Sequence, residues 1–245
     1  MINNLQIILP LLEFKEEGDF YQLYIFVRKK DMVTERNNHQ SVRTIKSYTI
    51  RSIDYLLEKF DEIQLLCEIF KARAYINLNR LNDKDVGLKM IEKTVHCLQN
   101  KSDNLRKVYE SVVGSLSPKE KRWIVDIDQE EIKDLDKYIT IINSCQPNNK
   151  EKILAKIPTK SGLHLITNPY NIEEFNIKCD DLFINRLDIH KMNPTVLYIP
   201  KALFTNYSIL DVIKKYENII KSFVGKDWKT WSEYSLFYQN KDENL

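Results

Sequence analysis

Residues 121–128 read KRWIVDID, and residues 159–171 read TKSGLHLITNPYN. Aromatic and β-branched side chains dominate both runs, which favours strands. Side chains two apart on a strand share a face, so Asp126 and Asp128 point one way and Ile127 the other. Two ionised carboxylates side by side on a half-buried strand are costly unless something positive sits between them. His164 occupies the next apolar run, behind Ser161 and Gly162. The fold and the chemistry both turn on how these runs are placed.

Working outward, EEIKDLDKYITIIN (130–143) sets Ile132, Leu135, Ile139 and Ile142 on one helical face. KILAKIPT (152–159) and GLHLITNP (162–169) are expected as strands joined at the turn Lys160-Ser161-Gly162. Asn171 and Glu174 have capping-box spacing for a short helix. DLFINRLDIH (181–190) and PTVLYIP (194–200) are expected to be the last strands. Residues 121–203 therefore form an RRM-like unit of order β-α-β-β-α-β, as in ferredoxin-like and RNA-recognition-type folds.

Upstream, DFYQLYIFVRKK (19–30), RTIKSYTIR (43–51) and ARAYINLNR (72–80) are expected as neighbouring strands. Ser52 caps a helix whose apolar positions run from Ile53 to Phe70, and two more helices are expected near 85–98 and 103–115. Residues 1–120 are thus an N-terminal αβ module, and the fold class is α+β. Residues 204–245 are a C-terminal extension: an amphipathic helix over 209–223, then the aromatic stretch DWKTWSEYSLFYQN (227–240), which suits burial against the body or a partner.

The totals allow one full-sized core with an appended subdomain: 245 residues, 43% hydrophobic and 29% charged. A net charge of +2 neither demands nor excludes nucleic acid. No apolar stretch approaches the ~20 residues of a membrane span, and the opening MINNLQIILPLLEF lacks a basic leader, so no membrane or secretory segment is expected. Cys67, Cys97, Cys145 and Cys179 are scattered without a C-x-x-C pair, which suits reduced thiols in a cytoplasm. The richness in Lys, Asn and Ile fits an A/T-rich coding source such as a phage or a low-GC bacterium.

Paired acids on a strand suit a hard divalent cation, Mg²⁺ or Mn²⁺, that bridges to substrate phosphates. The plain alternative is that Asp128 caps the next helix through Asp128-x-x-Glu131. The turn before His164 offers an ammonium (Lys160), a hydroxyl (Ser161) and a glycine that admits close backbone approach, which together resemble a phosphate cradle. Asp188 ends another apolar run and offers a third carboxylate, with a solvated loop acid as its plain alternative. Among the remaining basic residues, part of the set Arg28, Lys29, Lys30, Arg43, Lys46 and Arg51 is a candidate for tracking phosphates, with a solvated sheet edge as the plain alternative. Arg73 and Arg80 are candidates for reaching a template or triphosphate, and Tyr75 and Tyr170 for stacking on bases, with core packing as the plain alternative.

The order WIVDID, then SGLH, then RLD resembles the three signature motifs of the archaeo-eukaryotic primase superfamily. That resemblance spans roughly residues 19–200. It implies metal-binding and catalytic roles for Asp126, Asp128 and Asp188, and nucleotide-phosphate binding by Ser161 and His164 with Lys160 and Lys191 beside them. The function implied is a primase-polymerase type of nucleotidyltransferase using Mg²⁺ or Mn²⁺, with a nucleoside triphosphate and single-stranded DNA or RNA as partners. Two alternatives stand beside it. One is a catalytically silent primase-like protein that binds nucleic acid, or a replication protein through its C-terminal segment. The other is a metal-dependent nuclease or phosphodiesterase.

Overall fold

A computed structural model describes residues 1–28, 31, 43–100, 105, 107–148, 151–204 and 209–224. In chain order the elements are β1 (Ile2–Asn3), α1 (Leu5–Ile8), β2 (Asp19–Val27), β3 (Arg43–Ile50), α2 (Ile53–Phe70), β4 (Arg73–Ile76), β5 (Leu81–Asn82), α3 (Asp83–Gln99) and α4 (Val108–Ser115). There follow β6 (Trp123–Asp128), α5 (Leu135–Ser144), β7 (Ile153–Pro158), β8 (Gly162–Thr167), α6 (Ile172–Asp181), β9 (Asp188–His190), β10 (Thr195–Ile199), α7 (Ile209–Lys215) and α8 (Glu217–Val224). The fold is mixed α+β with two antiparallel sheets. One runs β1-β10-β4-β2-β3, with β5 on β2, and the other runs β7-β8-β6-β9.

The alternation along β6 explains how the second sheet sits. Trp123, Val125 and Ile127 face a cluster with Tyr138, Ile141 and Ile142 of α5 and Phe175 and Cys179 of α6. Ile124 faces the other way. With Ile157 and Ile166 it joins the core that holds Leu23, Ile25, Ile76 and Leu197 of the first sheet and Leu56, Phe60 and Ile63 of α2. The helices thus cover one face of the second sheet, and the first sheet packs near the apolar end of its other face. Asp126 and Asp128 lie further along that same face.

Local caps follow the sequence. The Ser52 and Asn171 side chains accept from the backbone N–H groups of Tyr55 and Glu174. Glu174 does not close its box; its carboxylate accepts from the Gln146 N–H at 2.8 Å instead. The expected helix at 130–143 opens as a 3₁₀ turn, Ile132–Asp134, before α5. The helix expected over 209–223 is broken at Tyr216 into α7 and α8, which bury Val212, Tyr216 and Ile220 against Leu65 of α2.

Two expectations need correction. Residues 181–190 are not one strand: α6 runs to Asp181, Phe183 adopts φ 52°, and the Ile184 N–H returns to the Cys179 carbonyl. This helix-terminating geometry leaves only Asp188–His190 to pair with β6. Residues 195–199, expected within the 121–203 unit, pair with β1 and β4 in the first sheet. All five are buried, as an interior strand of the larger sheet requires. Lys29, Lys30, Ser102 and the aromatic stretch 227–240 lie outside the described residues. Among the described residues no helix is long and apolar enough to cross a membrane.

Candidate functional site

Strand pairing assembles the motifs. Asp126 of β6 lies opposite His164 of β8 on one side and Asp188 of β9 on the other. Directly opposed residues of antiparallel strands share a face, so the three form one row across the sheet. One step along, Asp128 lies opposite Gly162. A Cβ on Gly162 would come within 2.1 Å of the Ile127 carbonyl oxygen, so only glycine lets β8 start this close to β6. The turn before it is held at both sides: the Thr159 N–H donates to the Gly162 carbonyl, and the Gln129 N–H to the Ser161 carbonyl.

Asp126 and His164 of this row open into a cleft between the two sheets with two connected parts. The smaller, about 90 Å³, is lined by Arg28, Arg73 and Tyr75 from the first sheet side and by Asp126, Asp128, Lys160, Ser161 and His164 from the second. The larger, about 260 Å³, shares Arg28, Tyr75, Asp126 and His164 and continues to Phe26, His190 and Asn193. Eight residues singled out in the sequence therefore line the smaller part: Asp126, Asp128, Lys160, Ser161 and His164 from the second sheet side, and Arg28, Arg73 and Tyr75 from the first.

His164 is fixed from behind. Its Nδ1 lies 2.9 Å from the hydroxyl of Thr195, a fully buried residue of β10, while Nε2 lies 3.6 Å from an Asp126 carboxylate oxygen. Burial lowers the His164 pKa from its ordinary 6.5; Asp126 opposes this, while His190 and Arg28 add to the lowering. Burial thus favours the neutral ring. The Asp128 N–H donates to Glu131 at 3.0 Å, yet the Asp128 side chain caps nothing and has no polar partner among the described residues. The capping account of Asp128 is thus only half met.

The cationic wall is built by burial. Arg73 is 2% exposed and pairs with Asp31 at 2.7 Å, while its Nε and the Asp31 Oδ2 are buried without partners among the described residues. Lys160 Nζ stands 3.8 Å from the same Asp31. Arg28 reaches the Tyr75 hydroxyl at 3.5 Å, and the Tyr75 ring stacks on Phe26 at 4.6 Å between centroids.

Other sequence candidates fall elsewhere. Asp188 is in the row but exposed, and it does not line the described cleft. Among the described residues no group of three or more His, Cys, Asp or Glu is arranged to hold a metal ion. Lys191 sits over the Trp123 ring at 5.1 Å, on the helix-covered face of β6. Arg80 pairs with Asp19, and Tyr170 is core, edge-on to Trp123 and Phe175. Thr195, Phe26, His190 and Asn193 were not singled out, because strand runs such as PTVLYIP carry no local sign of which sheet they will join.

No family model, no curated protein and no solved structure matches the chain.

Proposed function

We propose that the cleft binds a nucleoside triphosphate and joins nucleotides, as a metal-dependent nucleotidyltransferase of the primase-polymerase type acting with single-stranded DNA or RNA. One observation carries this: the paired carboxylates of β6 and the Lys160-Ser161-x-x-His164 cradle of the adjacent strand line the same small compartment. The strand order β7-β8-β6-β9 in a unit that runs β6-α5-β7-β8-α6-β9 also supports the RRM-like reading of this region.

Asp126 and Asp128 would hold the Mg²⁺ or Mn²⁺. Their oxygen-only donors, and the absence of a described partner for Asp128, fit a site completed by phosphate oxygens and water rather than a three-carboxylate cage. When bound, the ion supplies charge neutralisation at the reacting phosphates. Lys160 and Ser161 bind phosphate oxygens. His164 is held by Thr195 on Nδ1; with the hydroxyl donating there, the neutral ring keeps its proton on Nε2 and donates it into the cleft. Arg28 and Arg73 add positive potential from the opposite wall.

The test is extension of a primer on a single-stranded template with Mn²⁺ or Mg²⁺, comparing wild type, Asp128→Ala and Lys191→Ala. Activity lost in Asp128→Ala and kept in Lys191→Ala is the expected result. Equal activity in wild type and Asp128→Ala would overturn the proposal. Shortened primers in place of longer ones would mark a nuclease instead.

A further inference from the structure

The unequal halves of the cleft differ in chemistry as well as size. The 90 Å³ part carries Arg73, Lys160 and Ser161, groups that suit anionic oxygens. The 260 Å³ part replaces them with Phe26, Ile124, His190, Asn193 and Pro194. Phe26 and Tyr75 lie nearly parallel, 8° between planes, and both line that larger part. A ligand filling both parts needs an anionic end and a flat aromatic end with a hydrogen-bonding edge. Size and polarity together set its direction.

Resting on the function proposed above, we infer that the larger part is a nucleobase compartment. The base lies against the Phe26–Tyr75 pair, and Asn193 and His190 meet its polar edge. The triphosphate points towards Lys160 and Ser161, and the ribose crosses the boundary where the two parts share Arg28, Tyr75, Asp126 and His164. Base–aromatic stacking tolerates any base, whereas the Asn193 amide offers both a donor and an acceptor and so confers preference among bases.

The experiment is calorimetric titration of the full chain with inorganic tripolyphosphate and with each of the four nucleoside triphosphates, in the same Mg²⁺ buffer. The expected result is that both ligand types bind, the nucleoside triphosphates at least about tenfold tighter. Phe26→Leu, which keeps apolar volume but removes the ring, erases most of that advantage and leaves tripolyphosphate binding unchanged. Asn193→Ala, at an exposed position, levels the differences among bases. If tripolyphosphate and nucleotides bind equally, or if Phe26→Leu keeps the full advantage, the base compartment is wrong while the phosphate cradle stands. If neither ligand binds, the proposed function falls and the compartment with it.

Discussion

Charged groups are treated in opposite ways in the body of the first sheet and in the cleft beside the second. Within the body of the first sheet three buried or half-buried acids are well partnered among the described residues. Glu68, 4% exposed, accepts from the Tyr198 hydroxyl at 2.9 Å and from the Lys201 N–H at 3.2 Å. Glu62 is bound by Lys46 and by the Tyr48 hydroxyl. Asp19 takes two backbone N–H groups, the Asn82 amide and Arg80. In the cleft, by contrast, Asp126 meets only His164, at 3.6 Å, among the described residues, and Asp128 meets none of their side chains or N–H groups through its carboxylate. Arg73 keeps a buried Nε without a partner among the described residues. Where charge serves the fold, the protein satisfies it internally. Where charge is left open, a ligand from outside has a reason to bind.

The sharpest way to break this contrast is to remove one acid from each region. Asp126→Ala should lower nucleotidyl transfer on the order of 10²-fold or more while barely moving the urea midpoint. Glu68→Ala should do the reverse. It strands the Tyr198 hydroxyl and a backbone N–H, costing about 3 kcal/mol of stability with little change in activity per folded molecule. Matching effects from the two variants would erase the distinction.

A smaller effect tests the junction between the regions. Gly162→Ala must push β8 away from Ile127 and Asp128, because the added methyl has backbone rather than a pliable side chain in its way. The expected loss is about 2 kcal/mol in denaturant unfolding, together with weaker nucleotide binding. Unchanged stability would mean the strands part more easily than the close approach implies.

The mildest effect is one of pH. Burial alone would raise the Asp19 carboxyl, but the Asn82 amide, the Glu16 and Lys15 N–H groups and Arg80 together hold it below its ordinary 3.8. A carboxyl depressed on folding stabilises fully above its unfolded value and loses that contribution as pH falls through the folded one. Wild-type stability should therefore decline below about pH 4 more steeply than that of Asp19→Asn, read from unfolding midpoints across the acid range.

Some of this was legible before any coordinates. The alternation in WIVDID set Asp126 and Asp128 on the face opposite Trp123, and the burial pattern agrees. The Ser52 and Asn171 caps and the turn at residues 160–162 were equally local, and the strands and helices appear where their periods placed them, within a few residues. The run 181–190 failed because its apolar residues fit a helix end as well as a strand. Only the left-handed turn at Phe183 separates the two.

Local chemistry in the sequence determined which residues share a strand face, where the Lys160-Ser161-Gly162 turn lies and which acids are adjacent. Tertiary structure alone decided that β10 crosses into the first sheet and places Thr195 behind His164, that Arg28, Arg73 and Tyr75 close the cleft from the far side, and that Lys191 turns to Trp123. The physical reason is range. Periodicity and capping act over a few residues and are written in neighbouring side chains. Strand pairing across more than a hundred residues depends on which apolar faces bury each other best, and no short stretch of chain contains that.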